Sequence, residues 1–169
     1  MTTTRKELYK KFNLLPLYID HDDNFIKLEN YCIDKDKGDV YEIKICDVSS
    51  NLFLKRIKTG GVYPSCWVRV DRKPKSIMLH RSIVLSNVLQ SKNSLIKALQ
   101  KALPNIKDKL SKNPIEILQV ILRGMSVHHE DHNKKNHNYS NLSLVTSQVN
   151  SKRYIEHKKQ SKNKNAKSN

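Results

Sequence analysis

The sequence is short of cysteine pairs, of long apolar runs, of aromatic residues and of acidic residues. Its three cysteines, Cys32, Cys46 and Cys66, are odd in number and include no CxxC pair. A disulfide framework and a zinc knuckle are therefore not expected, and reduced, partly buried thiols in strands are. No stretch approaches the ~18 consecutive apolar residues of a membrane span. The first residues, MTTTRKELYKK, hold no apolar signal-peptide core, so an intracellular, cytoplasmic protein is the expectation. Aromatic residues are 7% of the chain, with Trp67 the single tryptophan. That leaves few platforms for stacking RNA bases, and no RNA-module signature is present.

What is abundant is positive charge: 32 Lys+Arg against 16 Asp+Glu, a net of +16 in 169 residues. Lysine and arginine at phosphates release condensed counterions, so the expected partner is a polyanion, and with no membrane segment that partner is nucleic acid. The charge is unevenly placed. Residues 1–50 hold 8 Lys+Arg and 10 Asp+Glu, whereas the rest of the chain holds 24 and 6. The surface that binds the polyanion therefore lies after residue 50. A hydrophobic content of 37% supports a modest core, in one domain or two small modules that share it.

Along the chain, Thr4 and Glu7 have capping-box spacing, and Leu8, Phe12 and Leu15 follow on one face, which predicts an N-terminal helical segment over 1–23. From Asn24 to about 87, short runs rich in Ile, Val, Tyr and Phe alternate with turn residues. The turns are Lys37-Gly38-Asp39, Ser49-Ser50-Asn51, Gly60-Gly61 and Arg72-Lys73-Pro74-Lys75. This pattern predicts an antiparallel sheet module. The period becomes helical at Leu79, Ile83, Val84 and Val88. A helical insert over 88–124 then carries two more amphipathic helices, broken at Pro104 and stopped at Gly124. A strand (Met125–Val127), a polar loop, a second strand (Leu142–Val145) and a final helix to about Lys159 complete the chain. Residues 160–169 read as a disordered basic tail.

The stretch from Ser126 to Arg153, SVHHEDHNKKNHNYSNLSLVTSQVNSKR, holds the chemistry. Phosphodiester cleavage needs a base to deprotonate water and a divalent ion to neutralise the departing oxygen. Two adjacent histidines at a strand end divide those jobs, because neighbouring strand residues face opposite ways. Taken singly, each residue reads as a surface histidine or a capping asparagine. Their joint order and spacing are another matter.

Val127, His128, His129, Asp131, Asn133, Asn136, Asn141, Leu142, Val145, Thr146 and Asn150 reproduce, without a gap, the pattern V-[DH]-H-x-[DN]-x-N-x-x-N-N-x-x-x-N-L-x-x-V-T-x-x-x-N. In this the chain resembles the HNH (ββα-metal) endonucleases, particularly phage intron-encoded homing enzymes. His137 stands where that family usually repeats Asn. The order Gly38-Asp39-Val40-Tyr41, Leu54-Lys55, Gly61-Val62-Tyr63 and Leu79-His80-Arg81 extends the likeness, more weakly, into the sheet module.

The resemblance implies His129 as general base and His128 and Asn150 as ligands of one divalent metal ion (Mn, Mg, Ni or Zn). It implies that Asn141 ties the loop so that His129 is held in orientation. Double-stranded DNA is the implied partner, with a monomer expected to nick one strand. Candidate phosphate contacts are Lys55, Arg56, Lys58 and Arg69 in the sheet module, Arg81 after it, and Lys152 and Arg153 on the final helix. For Arg81, helix packing is an equal alternative. His rather than Asp at position 128 softens the donor set, so Mn²⁺ or Ni²⁺ is expected to serve at least as well as Mg²⁺. The expected architecture is α+β: a sheet module, a helical insert and a C-terminal ββα-metal unit at about 125–159. A catalytically silent DNA-binding protein on the same fold is the rival reading.

Overall fold

The computed structural model describes residues 4–46, 52–61 and 64–166, side chains of 161–166 excepted. The turn at Ser49–Asn51 and the pair Val62-Tyr63 lie outside these residues. The architecture is α+β, as expected. Helix α1 (Arg5–Lys11) opens on the capping box: the Thr4 hydroxyl accepts from the Glu7 amide, and the Glu7 carboxylate accepts from the Thr4 amide at 2.7 Å.

The helical segment is shorter than the sequence suggests. Asn13 takes a left-handed conformation (φ 52°), and the chain leaves it as strand β1 (Leu14–His21), with Leu15 on the strand rather than on the helix. The sheet therefore begins ten residues before Asn24, where the sequence reading began it. The hairpin was hidden because its turn is Asp22-Asp23, both at positive φ. Asp adopts that conformation without glycine's signature. Strands β2 (Asn24–Asp34), β3 (Val40–Ile45) and β4 (Leu52–Arg56) complete a four-stranded antiparallel sheet in the order β1-β2-β3-β4.

A second sheet has two strands, β5 (Ser65–Val70) and β6 (Lys73–Met78). Its turn is Asp71-Arg72, with φ of 48° and 66°, not the Arg72–Lys75 stretch that Pro74 suggests. Pro74 sits in β6 opposite Arg69, tolerated because both strands are edges. Met78 leads directly into α2 (Leu79–Val88), which is buried at seven positions.

The insert holds α3 (Lys92–Ala102), capped by Ser91, a turn at Pro104–Ile106, the short α4 (Lys107–Leu110) and α5 (Ile115–Arg123), which stops at Gly124. Strands β7 (Met125–His129) and β8 (Leu142–Thr146) form the third sheet, and α6 (Ser147–Ala166) follows. Thus α6 stays helical past Lys159, through most of the stretch expected to be a disordered tail.

One core joins these parts. Leu17 and Ile33 of the first sheet, Val68 and Ile77 of the second, Ile83 of α2, Leu99, Leu118 and Leu122 of the insert, and Leu142 of β8 belong to a single buried cluster. The sheet module and the C-terminal unit are therefore packed on a shared core, with α2 and the insert between them. A smaller cluster of Leu8, Leu14, Cys32 and Ile43 seals α1 against the first sheet. Burial pushes the Cys32 and Cys66 thiols up to about 12, so these cysteines are inert packing groups, as expected. Among the described residues no helix is long and apolar enough to cross a membrane.

Candidate active site

The register of β7 and β8 pairs His128 with Ser143 and His129 with Leu142. Successive strand residues face opposite ways, so the two imidazoles diverge at the strand end. Both are buried, each about 7% exposed. His128 turns toward α6, where its Nδ1 lies 2.9 Å from the Asn150 Oδ1. His129 turns toward α2, its ring centre 5.3 Å from that of His80 and tilted by 57°. The His129 Nε2 is buried with no hydrogen-bond partner.

Burial favours the neutral form of His129 and His80. Burial lowers the His129 pKa below the usual histidine range, against a weaker opposing pull from Asp131. His80 is lowered to about 4, chiefly by burial and then by the neighbouring His129. A neutral imidazole is the form that accepts a proton.

The loop between β7 and β8 is held by amides. Asn141 accepts from the Asp131 amide at 3.0 Å and donates at 2.8 Å to the Asp131 carboxylate and to the Asn136 carbonyl. Asn136 donates to the other Asp131 oxygen at 2.7 Å. These bonds, Asn136 first, hold the Asp131 carboxyl below its usual range. Asp131 is thus engaged by the loop, and Glu130 pairs with Arg153 at 3.2 Å, so each acidic residue of the motif already has a partner in the fold. The loop also docks on the first sheet. The Tyr139 amide donates to the Asp36 carbonyl at 2.9 Å, and a Cβ on Gly38 (φ 75°) would sit 2.9 Å from the His137 ring.

A cleft of about 980 Å³ opens over the histidines. It is lined by His80, His128, His129, His132, Asn150 and His157 among others, Met78, Tyr154 and Ile155 included. Two of these histidines were missed as site residues. His132, at φ 59°, stands edge-on to His128 at 5.1 Å and stacks on His157 at 3.9 Å. The signal for His157 was present in the spacing: it follows Asn150 by seven residues, two turns along the same helix face.

Two donors about 2.1 Å from one ion at a right angle stand about 3.0 Å apart, close to the 2.9 Å between the His128 Nδ1 and the Asn150 Oδ1. As it stands Nδ1 donates to the amide oxygen, and holding a cation requires the other tautomer. The residues present therefore fit a cation held by one imidazole and one amide. Among the described residues no group of three or more His, Cys, Asp or Glu gathers as a metal cage.

The candidate phosphate contacts fare unequally. Arg81 is a structural clamp: Nε pairs with Asp20 on β1 at 3.0 Å, and the two terminal nitrogens donate to the carbonyls of Met125 (2.9 Å) and Leu122 (3.2 Å). With its side chain 18% exposed, Arg81 has the packing role that the sequence offered beside a phosphate contact. Arg56 pairs with Asp39 at 2.7 Å but remains exposed. Lys55, Lys58, Arg69 and Lys152 are exposed and outside the cleft lining. Arg153 borders a smaller pocket with Glu130, His132 and Glu156.

Comparison with known proteins bears on the same segment. Residues 123–152 match the family model of the HNH endonucleases, so the unit formed by β7, its loop, β8 and the start of α6 carries the HNH endonuclease signature that the sequence suggested. A solved structure described as "DNA binding and cleavage by the HNH homing endonuclease I-HmuI" is similar over 76% of this chain and 53% of its own, with 19% identity and a TM-score of 0.47. The chain thus spans about half the length of that protein. No curated protein sequence matches the chain.

Proposed function

We propose that this protein is a DNA endonuclease that uses one divalent metal ion and His129 as general base. The observation that carries the reading is the split histidine pair: His128 aimed at Asn150, and beside it a neutral His129 whose buried Nε2 has no partner. A buried nitrogen without a partner marks a place that a ligand atom or water completes. His129 accepts the proton of the attacking water. Asn141 fixes the loop on which Glu130 and Asp131 follow His129, and His80 closes the wall behind the imidazole. A divalent ion held by His128 and Asn150 would supply charge neutralisation at the departing oxygen. The products follow as 5′-phosphate and 3′-hydroxyl ends. The substrate is double-stranded DNA, steered by the positive charge after residue 50, and the location proposed for the protein is intracellular. A monomer with one such centre cuts one strand per encounter.

The test is nicking of supercoiled plasmid with Mg²⁺, Mn²⁺, Ni²⁺ or EDTA, for the native protein, His129→Ala and Asn150→Ala. Nicking should need a metal and be lost in both variants, with Mn²⁺ or Ni²⁺ at least equal to Mg²⁺. Nicking that survives EDTA or His129→Ala sinks the mechanism. Tight DNA binding without cleavage in any metal assigns the protein to the silent DNA-binding class instead.

A further inference from the structure

The β5–β6 ribbon has one face in the core and one in solvent, and the solvent face carries large apolar side chains among its polar ones. Alternation puts Cys66, Val68, Val70 and Ile77 inward, all buried. The outward set is Ser65, Trp67 and Arg69 on β5, opposite Met78, Ser76 and Pro74 on β6. Trp67, the single tryptophan of the chain, is 65% exposed, and Met78 is 56% exposed. Strand residues diagonal across an antiparallel pair lie within side-chain reach, so Met78, Trp67 and Arg69 form one continuous stripe. That stripe starts at the active site, because Met78 lines the cleft and His80 follows it by two residues. The same cleft is lined from α6 by Tyr154 and Ile155, both more than half exposed.

An exposed tryptophan on a rigid ribbon costs solubility unless something covers it. Three observations select the occupant. The stripe runs out of a cleft whose floor suits a phosphate diester, so a polymer bound there continues over one rim or the other. Arg69 ends the stripe with an exposed guanidinium that has no ion-pair partner among the described residues. The residues after position 50 carry 24 Lys+Arg against 6 Asp+Glu, which repels a basic protein partner and attracts nucleic acid.

We infer that the outer face of β5–β6 is a nucleobase platform: Trp67 stacks on an unstacked base of the bound DNA beside the scissile phosphate, Met78 fills the gap toward the cleft, and Arg69 holds the next phosphate. The inference rests on the proposed nuclease reading and extends it, since the substrate would be bound with its stacking broken at the cut. Aromatic stacking is indifferent to base identity, so this contact adds affinity and distortion rather than sequence choice.

The single tryptophan makes the test direct. In EDTA, to prevent cleavage, Trp67 emission is followed as the protein is titrated with duplex DNA and with the same duplex carrying a few unpaired nucleotides. Saturation is checked independently by gel mobility. Emission should be strongly quenched at saturation, more so by the duplex with unpaired nucleotides. Trp67→Ala should weaken binding by roughly 10-fold or more with an unchanged dependence of affinity on salt, and Trp67→Phe should recover most of it. Arg69→Ala should instead lower the salt slope by about one phosphate contact. Because Trp67 is exposed, its removal should leave the thermal midpoint in place. Unchanged emission at saturating DNA, or a Trp67→Ala affinity within about twofold of native, overturns the inference. A protein that nicks plasmid with unperturbed Trp67 loses only the platform. One that is quenched but never nicks loses only the nuclease reading.

Discussion

Two antiparallel hairpins in this chain each run straight into a helix: β5–β6 into α2 and β7–β8 into α6. They differ in what joins their strands and in what covers their helix. The first is closed by two residues in left-handed conformation, Asp71-Arg72, and its helix is buried at seven of ten positions. The second is opened by the loop from Glu130 to Asn141, and the described side chains of α6 are mostly exposed. A tight turn leaves no room for side chains at the strand ends and makes a stiff ribbon. A long loop brings amides and imidazoles back over the strand ends, and an uncovered helix leaves Asn150 and His157 facing a cleft. The same local architecture thus serves as scaffold in one place and frames the candidate site in the other, according to loop length and helix burial.

The comparison is broken most severely at the joint between the two. Arg81→Met removes the ion pair with Asp20 and leaves the Met125 and Leu122 carbonyls without their donor. A loss of about 2–4 kcal/mol is expected, read from urea unfolding, with both hairpins melting in one transition because they share a core. Independent transitions would mean that the two units are separate domains.

Next in size is the loop. Asn141→Ala deletes one accepted and two donated hydrogen bonds. Plasmid nicking should fall by roughly 10- to 100-fold, the usual cost of losing a residue that orients a site, while DNA affinity and the thermal midpoint change little. An equal loss of affinity would place Asn141 at the DNA rather than behind the histidine.

Smaller again is the contact between the loop and the first sheet. Gly38→Ala must strain a φ of 75° and displace His137. About 1–2 kcal/mol of stability should be lost, measured by thermal unfolding. An unchanged midpoint would mean that the His137 loop yields freely.

The last perturbation is pH, which acts without a substitution. His80 titrates at about 4 in the folded chain and near 6.5 when unfolded, so between those values the unfolded state holds the proton that the folded state refuses. Stability should therefore be full above pH 6.5, decline as pH falls toward 4, and level off below it as far as this group is concerned. His80→Phe should flatten that decline. An unaltered slope in the variant would assign it to other groups.

The paired histidines and the asparagines of the candidate site were legible because they lie within one gapless stretch, where spacing alone carries the pattern. The capping box at Thr4 and Glu7 was legible for the same local reason. What escaped depended on long-range geometry or on conformations without a signature. Strand β1 was hidden by the Asp22-Asp23 turn, which needs neither glycine nor asparagine. The role of Arg81 is fixed by partners on β1, α5 and β7, remote in sequence. His132 became a site residue only when a left-handed backbone folded it between His128 and His157. Trp67 stood in a visible alternation, but which of its two faces met the core depended on packing against α2.

The Arg81 clamp has a consequence for how such a centre is inherited. The segment that carries the family signature, 123–152, holds every residue proposed for the chemistry but neither Arg81 nor His80. Copied alone into a new host protein, it would bring the reactive groups without the brace at the start of β7 or the wall behind His129. A lineage that moves this unit by recombination must therefore carry α2 along with it, and crossover points inside the insert would yield offspring with the right motif and no firm seat for it.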